Sequence, residues 1–229
     1  MRAGILAGPR CVGLWPAMIY SNADAYLRED ALSTGAARVT YTPAEYLELE
    51  RAAERKSEYL DGRIRAMTGA SRAHNLIALN IGAELRTQLR GRSCEAYVAD
   101  MRVKVSSTGL YTYPDVVVAC EPIQLEDAYL DTLLNPTVIV EVLSPSTEAY
   151  DRGDKLAQYR RLESLQECLL VAQDTARVER YKRQGDQWVR TEYGGLDEVV
   201  PVTAIGCALR LRDVYERVTL PADESETTA

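Results

Sequence analysis

The chain has 229 residues, 46% of them hydrophobic and 27% charged, with a formal net charge of −7; this is ordinary composition for a globular protein long enough to bury its own core. No apolar run reaches about 18 residues, which excludes a helical membrane span, and the excess of acid argues against a protein that coats nucleic acid without selectivity. His74 is the only histidine and the five cysteines form no CxxC pair, so His-rich zinc sites, two-histidine ribonuclease chemistry, HNH-type nucleases and zinc ribbons are excluded.

The odd, scattered set Cys11, Cys94, Cys120, Cys168 and Cys207 reads as buried free thiols in a reducing cytoplasm. Only four of the 27 basic residues are lysine (Lys56, Lys104, Lys155 and Lys182), so each lysine carries more information than an average surface charge. Phe is absent while Tyr numbers 14, which leaves the aromatic core to Tyr and two Trp.

Residues 1–38 differ from the rest. Their weakly apolar stretch is broken by Pro9, Arg10 and Pro16 and lacks the continuous apolar core of a signal peptide. They are expected to be a flexible extension, or the product of a start placed too early, with Met18 the true one. One domain is expected over 39–220, followed by a disordered acidic tail, 221–229. Within the domain, Thr42-Pro43 with Glu45 opens a helix that runs to about Glu54. Ser57–Leu60 and Arg63–Met67 form a hairpin around Asp61-Gly62. A helix follows from Arg72 to about Arg90 and is stopped by Gly91. Strands are expected at Cys94–Val98, Arg102–Val105, Tyr113–Cys120 and Thr137–Leu143, the last two apolar enough to be buried centrally. Asp151–Leu162 is helical. Glu167–Gln173, Arg177–Arg183 and Gln187–Tyr193 are strands, and a short helix ends 208–218. This order predicts an α+β or mixed α/β domain rather than a doubly wound parallel sheet.

Two acids interrupt the apolar strands: Asp115 in Tyr-Pro-Asp-Val-Val-Val and Glu141 in Val-Ile-Val-Glu-Val-Leu. A buried carboxylate is costly unless it is paired with a cation. Each alone could be matched by an arginine or sit at a strand end. Together, on consecutive strands, they suit a shared divalent ion. Downstream, Ser144-Pro145-Ser146-Thr147 turns the chain back, and Lys155 is placed in the first turn of the next helix, pointing into the same cleft. A Lys155→Ala change is accordingly expected to leave the fold nearly intact. Glu58, before the hairpin turn, is a further acid. Asp115, Glu141, Lys155 and Glu58 form a set that suits metal-assisted phosphodiester hydrolysis. His74 is read as a surface or capping residue.

Taken in order, Ser57–Gly62, Ser71–His74, Tyr113–Val118, Asn135-Pro136, Glu141–Thr147 and Asp151 through Lys155 to Tyr159 resemble the Uma-type putative restriction endonuclease family, a branch of the PD-(D/E)XK nuclease superfamily. The resemblance covers about Tyr41 to Val218. It implies a restriction-endonuclease-like core with a central mixed sheet flanked by helices. It also implies an Mg²⁺-dependent (or Mn²⁺-dependent) endonuclease acting on DNA in the cytoplasm. Asp115 and Glu141 would be the metal-binding carboxylates and Glu58 an additional acidic site residue. The plain motif has its lysine two residues after the glutamate, where this chain has Leu143; the resemblance moves that role to Lys155. Arg63, Arg65 and Arg72, with Arg152, Arg160 and Arg161, are the candidates for a local basic face toward DNA, and a homodimer is an admissible assembly. Two other readings stay open: a catalytically inactive nuclease-fold module that binds nucleic acid or regulates, and an acidic self-assembling structural protein.

Overall fold

The structure, a computed structural model, describes residues 39–221. The expected extension, Cys11 within it, and the tail beyond Pro221 lie outside the described residues.

Local chemistry sets the first elements. Helix α1 (Pro43–Ala52) begins with a capping box, in which Thr42 accepts from the Glu45 amide and Glu45 accepts from the Thr42 amide. Such caps stabilise a helix start by about 0.5–2 kcal/mol. Strands β1 (Ser57–Leu60) and β2 (Arg63–Ala66) pair around a two-residue turn. Asp61 and Gly62 both have left-handed φ, 51° and 79°, which is the geometry that Asp-Gly supplies in a tight hairpin. This hairpin joins a five-stranded sheet of order β2-β1-β5-β4-β7, completed by β4 (Arg102–Val105), β5 (Leu110–Thr112) and β7 (Thr132–Leu133). Tyr46 of α1 stacks on Tyr59 at 5.1 Å between ring centroids and leans on Tyr111 at 5.4 Å. The Phe-free chain thus builds this part of its core from tyrosine, as its composition predicts.

A six-stranded sheet of order β11-β10-β9-β8-β6-β3 carries the main core. It contains β3 (Cys94–Val98), β6 (Val116–Cys120), β8 (Pro136–Leu143), β9 (Glu167–Ala172), β10 (Arg177–Gln184) and β11 (Gln187–Gly194). The β8–β9 pair is parallel and the others are antiparallel, so the sheet is mixed. Both its faces are covered, which explains the near-continuous apolar runs of β6 and β8. Val116, Val118, Val138, Val140 and Val142 face helix α2 (Arg72–Gln88), where Ile77, Ile81 and Leu85 are fully buried. Val117, Ala119, Ile139 and Leu143 belong to a second cluster with Leu110, Leu133, Leu156 and Tyr159. Side chains alternate between faces along a strand. Glu141 therefore lies on the second face, opposite α2, while Asp115 sits in the bend just before β6, at the end of the strand.

After β8 the chain enters a helical stretch: α3 (Glu148–Tyr150), a π-helical segment (Asp151–Lys155) and α4 (Leu156–Tyr159). The sequence places the start of this helix at Asp151; the structure starts it three residues earlier, so Lys155 does not lie in its first turn. Four short strands also escaped the sequence reading: β5, β7, and the pair β12 (Val199–Val202) and β13 (Cys207–Arg210). Helix α5 (Leu211–Val214) closes the fold. Among the described residues no helix is long and apolar enough to cross a membrane.

The cysteine reading needs a correction. Cys168 and Cys207 are free and buried, but Cys94 and Cys120 form a disulfide. They are opposite one another in the β3–β6 register, a neighbourhood that 26 residues of separation conceal in the sequence. A loop of that size contributes about 2–4 kcal/mol when closed covalently. Urea unfolding with and without reductant should show a loss of that order. Coincident unfolding curves would contradict a stabilising role for the bond.

Candidate functional site

On the second sheet face, Lys155 lies at the centre of a buried acidic cluster. Its Nζ is 3.1 Å from Glu58 Oε1, 3.1 Å from Glu141 Oε1 and 3.6 Å from Asp151 Oδ1. The four side chains are between 5% and 10% exposed. They come from three places in the chain: Glu58 from β1, Glu141 from β8, Asp151 and Lys155 from the π-helical segment. Two hydroxyls complete the cluster. Tyr159 donates to Glu141 Oε1 at 2.5 Å, and Thr112 donates to Glu58 Oε1.

One ammonium among three carboxylates leaves the cluster net negative, and the protonation equilibria reflect it. Burial pushes the Glu141 carboxyl up to about 8; the Lys155 charge opposes the shift, while Asp115 and Asp151 add to it. Burial likewise raises Asp151. Burial works against the Lys155 charge, but Glu141, Glu58 and Asp151 more than offset it, and its pKa stands well above the ordinary lysine value. The lysine is held here as a fixed cation.

Asp115 stands just before β6. The last regular pair of the β6–β8 ladder is Val116 with Val140, so continuing the register by one residue sets Asp115 opposite Glu141. Asp115 Oδ2 accepts the Val142 amide at 2.7 Å and lies 3.2 Å from His74 Nε2. Both partners of Asp115 use Oδ2 and both partners of Glu141 use Oε1. Among the described residues, Asp115 Oδ1 and Glu141 Oε2 therefore receive no protein hydrogen bond. No three acidic, histidine or cysteine side chains among the described residues converge into a ready-made metal-ligand group.

The expected arginines divide. Arg63 and Arg65 are exposed on β2, and the Arg65 guanidinium sits 5.1 Å over the Tyr150 ring. Arg65 is opposite Glu58 in the hairpin register, so both side chains leave the same sheet face. Arg72 and Arg161 are also exposed. Arg152 is instead engaged by Glu148 and Glu179, and Arg160 stacks 5.2 Å from the Tyr181 ring.

Comparison with known proteins identifies the family to which the chain belongs. Residues 43–212 match the Uma2 family, described as "Putative restriction endonuclease". The chain belongs to the Uma2 family. It is 40% identical over 155 residues to the uncharacterized Synechocystis protein sll1609, covering 67% of this chain and 88% of that protein. It is 35% identical over 175 residues to a second uncharacterized Synechocystis protein, slr1290, covering 76% and 90%. A crystal structure from Anabaena variabilis, of a putative nuclease belonging to DUF820, superposes with a TM-score of 0.65 at 20% identity. That match covers 78% of this chain and 99% of the other, and it establishes a shared fold.

All four side chains singled out in the sequence, Glu58, Asp115, Glu141 and Lys155, lie in this region of the Uma2 domain. Sequence reasoning missed Asp151, Tyr159 and His74. Asp151, Lys155 and Tyr159 recur every four residues, the spacing of one helix face, and that signal could have found the first two. His74 reaches Asp115 only through tertiary packing, and reading it as a surface or capping residue left that contact out. The expectation that Lys155→Ala would leave the fold nearly intact is also revised, because this lysine is the one cation set among three buried acids. Removing one partner of a buried ion pair costs about 3–5 kcal/mol. Lys155→Met should lower stability by that order in urea unfolding, and adding Glu141→Gln should recover part of it. An unchanged midpoint in the single variant would show that the cluster is not held by this charge.

Proposed function

We propose that this protein is a divalent-metal-dependent endonuclease that hydrolyses DNA phosphodiester bonds. The observation that carries the reading is the pair of carboxylate oxygens, Asp115 Oδ1 and Glu141 Oε2, left free of protein donors beside a net-negative cluster. The donor set fits Mg²⁺ or Mn²⁺: hard carboxylate oxygens, an excess of negative charge, and one or two carboxylates in place of a closed cage, as Mg²⁺ prefers. Asp115 and Glu141 would hold the ion, which supplies water activation and offsets charge on phosphorus.

The chain's own residues have separable tasks. Lys155 keeps Glu141 Oε1 engaged, and so leaves Oε2 as the oxygen free for a ligand. Its raised pKa favours a fixed positive charge over a proton-transfer role. Tyr159 fixes the same carboxylate oxygen from the next helical turn. Glu58 and Asp151 hold the ammonium from two other elements. Arg63 and Arg65, on the Glu58 side of the hairpin, would take backbone phosphates, with Arg72 and Arg161 as further candidates.

One observation favours a second reading, a non-catalytic DNA-binding module: the lysine slot after Glu141 holds Leu143, while Lys155 is lodged among three acids. Plasmid nicking separates the two. The nuclease reading predicts relaxation of supercoiled DNA in Mg²⁺ or Mn²⁺ that EDTA abolishes and Glu141→Ala loses. DNA binding with no cleavage in either metal would instead favour the module. Reversing Arg63 and Arg65 to Glu should weaken DNA affinity and flatten its salt dependence by about 0.9 in logarithmic slope for each phosphate that is no longer neutralised. An unchanged slope would place the DNA face elsewhere.

A further inference from the structure

We infer that His74 is a positioning residue that holds Asp115 in its ligand-ready orientation; the inference rests on the metal-dependent reading above and extends it to a residue outside the expected acidic set. Regular β6–β8 pairing stops at Val116 and Val140, yet the Val142 amide further along β8 still needs an acceptor. Asp115 Oδ2 provides it at 2.7 Å, so one oxygen of this carboxylate replaces missing strand backbone. A single hydrogen bond leaves a carboxylate free to swing, because its terminal torsion is broad. The His74 ring closes on the same atom, with Nε2 3.2 Å from Oδ2.

The histidine is well placed to fix geometry. It lies in the first turn of α2, where its amide donates to the N-cap Ser71 hydroxyl at 3.0 Å. Ile77, Ile81 and Leu85 anchor that helix with no exposed area. The His74 and Asp115 side chains are 15% and 19% exposed, more than any member of the Lys155 cluster. They form the accessible margin of the site. With the Val142 amide and the His74 ring both at Oδ2, Oδ1 is the oxygen presented to an incoming cation. Groups that orient metal ligands in this way typically change metal affinity 10–100-fold when removed.

The test combines Mn²⁺ calorimetry with hydrogen exchange at the Val142 amide, on the wild type, His74→Ala and His74→Gln. Thermal unfolding serves as the check that each variant is folded. The glutamine amide donates from near the position of the imidazole Nε2 but retains nothing else of histidine. His74→Ala should weaken Mn²⁺ binding 10–100-fold and speed Val142 exchange, and His74→Gln should recover most of both. Wild-type values in His74→Ala, or no recovery in His74→Gln, would overturn the inference. If the wild type binds no Mn²⁺, the metal-dependent reading fails on its own; Val142 exchange that rises in His74→Ala and recovers in His74→Gln would still support the positioning of Asp115.

Discussion

A single buried ammonium holds the candidate site together. Lys155 lies within 3.6 Å of carboxylates from β1, β8 and its own helical segment, so it ties the five-stranded sheet, the six-stranded sheet and the helical stretch at one point. Without it, three acids would lie in a region of low solvent access with little to offset them, and desolvation penalties for buried ions amount to several kcal/mol each. The compensation is incomplete, since one positive charge serves three acidic groups, and the Glu141 carboxyl is pushed up to about 8. Asp115, 19% exposed, stands at the accessible margin of this acidic group, and it is there that the proposed metal would enter.

Strand alternation places the rest. Because both faces of the six-stranded sheet are buried, a polar residue in β8 must meet either α2 or the other sheet. Glu141 falls on the side that also carries Ile139, Leu143 and the α4 residues Leu156 and Tyr159, where a lysine and a tyrosine hydroxyl meet it. A one-residue slip would turn it toward the apolar face of α2, which has no such partners. The β6–β8 register shifts between Val118 and Ala119, where Ala119 pairs with Pro136. Proline lacks the amide that a regular ladder needs, and such irregularities belong at strand starts. The shift lies at the far end of the pair from Asp115 and leaves the Val116–Val140 register intact.

How much of this the sequence displays depends on whether the determinant is local. The α1 cap, the Asp61-Gly62 turn and the Val-rich strands rest on neighbouring residues, and they fold where the sequence places them. Of the strands that were missed, β5 and β7 are only three and two residues long, too short for alternation to stand out. The Cys94–Cys120 bond and the His74–Asp115 contact depend on sheet register and helix packing, which no spacing rule encodes. The π-helical segment is a finer case. A helix across Asp151–Leu162 was legible, but its earlier start and the widened turn that accompanies Lys155 among the acids were not. Such segments often occur at functional sites. Family membership, legible from six short motifs in order, agrees with the match over residues 43–212.

The most direct measurement of the central claim is a crystal structure of the protein soaked in Mn²⁺, with anomalous scattering recorded at the manganese edge. The account predicts a peak bounded by Asp115 Oδ1 and Glu141 Oε2, with Lys155 still contacting Glu58 and Asp151. A Mn²⁺ peak coordinated by other residues, or none at Asp115 and Glu141 at saturating metal, would contradict it.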